Sequence, residues 1–215
     1  GGYDYRRQAG ILHVADHHIA PGKKQWTWGS GEFGRAWDRN LTDEDGPYIE
    51  LMTGVYTDNQ PDFTWLKPME EKTFVQYFMP YKAVGAVKNA SVQAVINLEV
   101  EEEGIRVAAY ATREYPSARI LLTYEGSPLL DETCLLSPVH TFETLVPTRV
   151  EDETRLTLSV LDGEEELVAY TPLKKEIPRL PDPAEAARDP EEIMTVEELY
   201  LTGLHIEQYR HATYR

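Results

Sequence analysis

The chain has 215 residues, a formal net charge of −16 and one cysteine, Cys134. Its acidic balance argues against nucleic acid and anionic membrane as partners, because both would repel it. No apolar run approaches the roughly 20 residues needed to span a bilayer. One cysteine excludes an internal disulfide framework and favours a reducing compartment, so we expect a cytoplasmic location. We expect no cofactor.

The first part of the chain, up to residue 84, is predicted to form strands joined by long loops. Strands are expected at 11–15, 25–28, 48–52 and 73–77. Pro21-Gly22 is a predicted turn, and Ser30, Gly31 and Gly34 indicate a loop. Trp26 and Trp28 are two residues apart, so on a strand they share one face.

Three histidines, His13, His17 and His18, lie at or just after the first predicted strand. Adjacent residues on a strand point to opposite faces, so His17 and His18 are not expected to share an ion. We therefore predict no metal site. His18 is kept as a residue that could line a ligand cleft, the alternative being a surface or hydrogen-bonded histidine.

The stretch from residue 21 to 65 contains all four tryptophans of the chain, together with many acidic and amide side chains. Flat apolar rings stack on the C–H faces of sugars, while carboxylates and amides bind hydroxyl groups. This combination predicts a carbohydrate site. The alternative is a β-sandwich core in which the tryptophans fill space and the acidic turns face water.

Glu50 is the unusual residue of the strand predicted at 48–52, because it lies between Ile49 and Leu51. A buried carboxyl group has a raised pKa and is suited to proton transfer. The alternative is a strand-face glutamate paired with Arg35, Arg39 or a lysine. We favour the functional interpretation of Glu50.

From residue 91 the pattern changes to short alternating strands, expected at 92–100, 105–111, 118–124, 140–146, 155–161 and 166–171. Asp162-Gly163 is typical of a hairpin turn. About seven short strands over about 85 residues predict an immunoglobulin- or fibronectin-like β-sandwich over 85–175. No cluster of titratable groups stands out there, so this region is expected to be structural or an interaction module.

The C-terminal part begins with a Pro-rich linker at 176–194, which is expected to be extended. A helix is predicted from Thr195 to about His211, with Thr195 and Glu198 forming a capping box. Its apolar residues recur at three- to five-residue steps and need a partner, either the sandwich or a following helix.

Two strings carry a family resemblance. One begins at Pro21 and reads P-G-K-K-Q-W-T-W-G; the other begins at Tyr48 and reads Y-I-E-L-M-T-G-V-Y-T-D-N-Q-P-D. They resemble the end of a galactose mutarotase-like supersandwich. More closely, they resemble a bacterial family found before tetratricopeptide repeats, domain of unknown function 5107. The resemblance implies that 1–84 is the C-terminal part of such a sandwich and that 195–215 leads toward repeats. The first residue is not Met, so a fragment is expected.

A mutarotase opens and recloses a pyranose ring with a histidine acid and a glutamate base. The resemblance places the base at Glu50, while the acid would lie earlier in the domain, so we expect this fragment alone to be inactive. The expected substrate-binding residues are Trp26, Trp28, Trp37, Asp38, Arg39, Tyr56, Asp58, Asn59, Gln60, Asp62 and His18. We expect these residues and Glu50 to converge on one concave face.

Three classes of function remain open on the sequence. The first is a carbohydrate-active enzyme, an epimerase or a glycoside-cleaving enzyme, which as a hydrolase would need a second carboxylate from Asp38, Asp58 or Asp62. The second is a sugar-binding domain without catalysis. The third is a scaffold that binds protein partners through downstream repeats. Carbohydrate is the expected partner for the first two classes.

Overall fold

The computed structural model describes residues 1–55, 66–174 and 187–210, with side chains described as far as residue 207. The chain divides into two compact units. Gly1–Asp16 with Val75–Lys175 form the first, here called the sandwich unit, and His17–Phe74 with Glu176–Arg215 form the second, the hairpin unit. Among the described residues, no helix is long and apolar enough to cross a membrane.

Thirteen strands and two α-helices, numbered in chain order, occur in the described residues. The sandwich unit contains β1 Gly2–Asp4, β2 Ala9–Ala15, β5 Gln76–Lys82, β6 Asn89–Ala90, β7 Ala94–Val100, β8 Ile105–Ala111, β9 Tyr115–Tyr124, β10 Ser127–Leu136, β11 Phe142–Val146, β12 Leu156–Asp162 and β13 Glu165–Tyr170. The hairpin unit contains β3 Lys24–Thr27, α1 Glu32–Leu41, β4 Ile49–Met52 and α2 Val196–Arg210. The prediction of a mainly β chain with a C-terminal helix is confirmed.

Two four-stranded antiparallel sheets form the core of the sandwich unit, in the orders β10-β9-β12-β13 and β11-β8-β7-β6. The chain passes between the sheets after β8, returns after β10 and crosses again after β11. This is the arrangement of an immunoglobulin- or fibronectin-like sandwich. Ile96 and Ile105 from one sheet are fully buried against Ile120 and Leu158 from the other, as the alternating sequence predicts.

A third, three-stranded sheet with the order β1-β2-β5 packs on the outer face of the β7–β8 pair. Leu12, Met79 and Tyr81 from this sheet are buried with Val95 and Tyr110. These contacts explain why β7 is buried on both faces rather than on alternate residues. The structure thus groups strands from both sides of residue 84 into one unit, and the division into domains at 1–84 and 85–175 stays a prediction.

Two polar side chains at the junction of these sheets donate hydrogen bonds to backbone carbonyl oxygens. The Tyr81 hydroxyl donates to the Gly85 carbonyl oxygen at 3.2 Å, and Asn97 Nδ2 donates to the Val84 carbonyl oxygen at 2.9 Å. Burial, followed by the nearby Tyr3, raises the pKa of Tyr81 to about 12. The Tyr81 hydroxyl therefore stays protonated near neutral pH and remains a donor.

Two strand predictions in this unit are corrected. The strand expected at 73–77 runs instead from Gln76 to Lys82 and continues through Pro80. Proline is tolerated there because β5 pairs only with β2 and is an edge strand. The long strand β10 was not predicted. Its register shifts between Pro128 and Leu130 and again between Cys134 and Leu136, so its sequence lacks a period of two.

The C-terminal helix α2 begins one residue after its predicted cap. The backbone N–H of Glu198 donates to Thr195 Oγ1 at 3.1 Å, as an N-terminal cap does. The Glu198 carboxylate forms an ion pair with Arg188. Val196 and Tyr200 are exposed on the first turns of this helix. The Pro-rich linker lies largely in residues 175–186, outside the described part of the chain.

Candidate functional site

The antiparallel pair β3–β4 forms the base of the candidate site. Trp26 lies directly opposite Glu50, while Ile49 pairs with Thr27 and Leu51 pairs with Gln25. Directly opposed residues project to the same face of a sheet. The indole and the carboxylate are therefore neighbours on one face of the hairpin, and the apolar side chains of β4 flanking Glu50 lie on the other.

Both members of the Trp26–Glu50 pair are accessible to solvent. Trp26 is 40% exposed and Glu50 is half-buried. Within residues 1–55, 66–174 and 187–210, the Glu50 carboxylate shows no ion pair with Arg35, Arg39 or a lysine. The indole face and the carboxylate oxygens can therefore contact a ligand.

The connection between β3 and β4 contains helix α1, where a loop was predicted. Phe33, Trp37 and Leu41 repeat at four-residue spacing, which is the helical signal that Gly31 and Gly34 obscured. Gly34 is buried, and a Cβ atom there would lie 2.2 Å from the Gly29 carbonyl oxygen. This glycine therefore lets the helix approach the end of β3 closely rather than marking a loop.

Asp38 connects α1 to the strand that carries Glu50. Its Oδ1 accepts a hydrogen bond of 3.0 Å from the backbone N–H of Tyr48, two residues before Glu50. The Tyr48 ring also packs edge-on against Trp28, with ring centroids 5.3 Å apart. The loop after the helix is closed by the Thr42 hydroxyl, which lies 2.6 Å from the Gly46 carbonyl oxygen. The Asp38 hydrogen bond thus joins the helix to the hairpin, and the Trp28–Tyr48 contact joins the two segments that flank the hairpin strands.

An open cavity of about 320 Å³ lies beside the C-terminal half of α1. It is lined by Arg35, Asp38, Arg39, Thr42, Asp43, Glu44, Gly46 and Pro47. Residues three and four apart share a helix face, so its four lining residues from Arg35 to Thr42 lie on one side of α1. Guanidinium donors and carboxylate acceptors meet there, a combination that suits a polar ligand.

The predicted site residues fall into several places. Trp26 and Glu50 are together on the hairpin, and Asp38 and Arg39 line the cavity. Trp37 contacts Phe33 on another face of α1, with ring centroids 6.3 Å apart. Tyr56, Asp58, Asn59, Gln60 and Asp62 lie outside the described residues, as does Trp65. A single concave face containing all of them stays a prediction.

Sequence reasoning missed six of the eight lining residues of the cavity: Arg35, Thr42, Asp43, Glu44, Gly46 and Pro47. Arg35 appeared only as a possible partner of Glu50. The spacing of Phe33 and Trp37 would have revealed α1 and, with it, the face shared by Arg35 and Arg39.

Two family models match the chain, and the residue ranges that they match overlap in β6. Residues 1–90 match a family described as Domain of unknown function (DUF5107). Residues 89–170 match a family described as YphG-like protein, second domain. No solved structure matches the chain. The first match confirms the resemblance to that family of unknown function, and the hairpin, α1 and the cavity all lie within the matched residues.

Proposed function

We propose that the hairpin unit binds carbohydrate on the hairpin face that carries Trp26 and Glu50. The observation that supports this most directly is their cross-strand pairing, which sets a partly exposed indole beside a carboxylate. An indole covers the C–H face of a pyranose, and an adjacent carboxylate accepts hydrogen bonds from its hydroxyl groups. In this proposal the two groups together hold a sugar in one orientation on the hairpin surface.

The cavity beside α1 supports the same proposal with further polar groups. Arg39 supplies donors and Asp43 supplies acceptors at its wall. Asp38 lines the cavity and also binds the backbone of Tyr48, so cavity and hairpin belong to one connected structure. A glycan longer than one residue would use the hairpin face for ring stacking and the cavity for its hydroxyl groups.

We further propose that Glu50 is the general base of a sugar epimerase or a glycoside-cleaving enzyme. The mutarotase-like strings around Glu50 support this role. In a hydrolase, Asp38 is the described candidate for the second carboxylate, because it is anchored two residues from Glu50. In this proposal, residues 1–84 form the C-terminal part of a mutarotase-like supersandwich.

A glycan array followed by Glu50→Gln tests both levels of the proposal. Glutamine keeps an acceptor oxygen but cannot accept a proton at neutral pH, so binding should be largely retained. Because the fragment alone is expected to be inactive, turnover is compared in the full-length protein, where it should fall by at least about 100-fold if Glu50 is the base. Equal turnover by both proteins would remove Glu50 from catalysis, and a blank array for the unaltered protein would overturn carbohydrate binding.

A second candidate function is that of a protein scaffold, and helix α2 favours it. Val196 and Tyr200 are exposed one turn apart at its start. Exposed apolar side chains at this spacing are suited to packing against another helix, such as the first helix of a tetratricopeptide repeat. Binding of a protein partner through α2 is compatible with carbohydrate binding by the hairpin.

We also propose a cytoplasmic location. Cys134 is the only cysteine of the chain, and burial raises the pKa of its thiol, followed by the effect of Glu132. A half-buried thiol with a raised pKa is less reactive, and it is the presence of a single cysteine that fits a reducing compartment.

A further inference from the structure

Directly after β2 come three consecutive residues whose side chains can bind a metal ion: Asp16, His17 and His18. The two histidines lie in a turn and not on the strand. The strand alternation that would separate their side chains therefore does not apply, and the two imidazole rings lie with centroids 3.9 Å apart. The expectation that these two side chains point to opposite faces is wrong.

The ligand atoms of this turn are close to one another. One carboxylate oxygen of Asp16 and one ring nitrogen from each of His17 and His18 all lie within 4.8 Å of each other. Bonds to zinc of about 2.0–2.2 Å place two ligands of one ion roughly 3–4 Å apart. All three side chains are exposed, so small side-chain rotations bring the three atoms to that spacing without moving the backbone.

We propose that Asp16, His17 and His18 bind one divalent first-row transition-metal ion, of the class of Zn²⁺, Ni²⁺ and Cu²⁺. Imidazole nitrogen suits these ions, and a carboxylate oxygen completes a mixed ligand set. Water fills the remaining coordination positions. Because the three residues are consecutive, the site is a property of one turn of the chain. It does not depend on glycan binding to the hairpin face that carries Trp26 and Glu50.

Other interactions of these side chains set the strength of binding. Asp16 and His18 already interact with other groups of the protein, so the ion must compete with those interactions. Three exposed ligands also leave the ion open to solvent. The turn therefore gives a weaker site than a buried four-ligand structural zinc site.

Calorimetric titration with Ni²⁺ and with Zn²⁺ tests the site directly. The unaltered protein should bind one ion per chain with a saturating isotherm. The double variant His17→Gln/His18→Gln should bind at least about tenfold more weakly, since even loss of an outer-shell partner costs 10–100-fold. His140→Gln serves as the matched control, because His140 is an exposed histidine of another turn, near Ser137.

The His140→Gln control distinguishes a specific site at Asp16, His17 and His18 from nonspecific binding to surface histidines. Unchanged binding in the double variant, or an equal loss in His140→Gln, would overturn the proposal. Electron paramagnetic resonance of the Cu²⁺ form gives a second readout, in which two imidazole nitrogens should appear and be lost in the double variant. A copper spectrum without nitrogen coupling would contradict the assignment. Far-UV circular dichroism should show that all variants are folded.

Discussion

Replacing Leu158 by alanine is expected to destabilise the sandwich unit by about 2–5 kcal/mol. Leu158 on β12 is fully buried and lies directly opposite Leu122 on β9, which is also fully buried. Truncation removes apolar contact from both sheets and leaves a cavity that the surrounding strands can fill only in part. Urea unfolding followed by far-UV circular dichroism measures the change in the free energy of unfolding.

Leu173→Ala is the matched control for this prediction. Leu173 is 82% exposed, so the same change in chemistry should alter stability by no more than about 0.5 kcal/mol. Equal losses in the two variants would mean that the two sheets do not share the core described here.

Replacing Gly34 by alanine is expected to destabilise the hairpin unit by about 1–3 kcal/mol. The added Cβ would lie 2.2 Å from the Gly29 carbonyl oxygen and 2.3 Å from that of Trp28, and both are backbone atoms. This clash must exceed the gain of about 1 kcal/mol that alanine gives inside a helix. All four tryptophans lie between residues 17 and 74, so tryptophan fluorescence during urea unfolding reports on this unit.

Gly203→Ala tests whether the loss comes from the close contact. Gly203 lies inside α2, and no atom is within 4 Å of the position of an added Cβ. Alanine there should leave stability unchanged or raise it by up to about 1 kcal/mol. A Gly34→Ala protein as stable as the unaltered one would contradict the packing of α1 on the end of β3.

The sandwich could be predicted from sequence because its strands alternate in a simple way. Residues of β7 and β8 repeat with a period of two, and the Asp162-Gly163 turn marks the β12–β13 hairpin. β10 was not predicted, because two register shifts interrupt the two-residue alternation of its side chains. The alternation in β7 is incomplete, because the third sheet buries the face of β7 that would otherwise be polar.

The candidate site was only partly predictable. The alternation around Glu50 correctly separated its side chain from Ile49 and Leu51, but pairing with Trp26 depends on a register that sequence alone does not give. The glycines at 31 and 34 were interpreted as loop residues because their commonest use is in turns. The actual reason for Gly34 is a close backbone contact, which becomes visible only once α1 is placed.

We propose that a glycan binds on the face shared by Trp26 and Glu50. The most direct test is calorimetric titration of an array-selected glycan into the unaltered protein, Trp26→Ala and Trp37→Ala. The two tryptophans are 40% and 42% exposed, but Trp37 lies on α1 against Phe33. Trp26→Ala should lose about 1–3 kcal/mol of binding free energy, or roughly 5- to 150-fold in Kd. Trp37→Ala should bind nearly as the unaltered protein does if the hairpin face alone stacks on the sugar, and should also bind more weakly if Trp37 shares the concave face expected from the sequence. Unchanged glycan affinity in Trp26→Ala would overturn binding on the hairpin face.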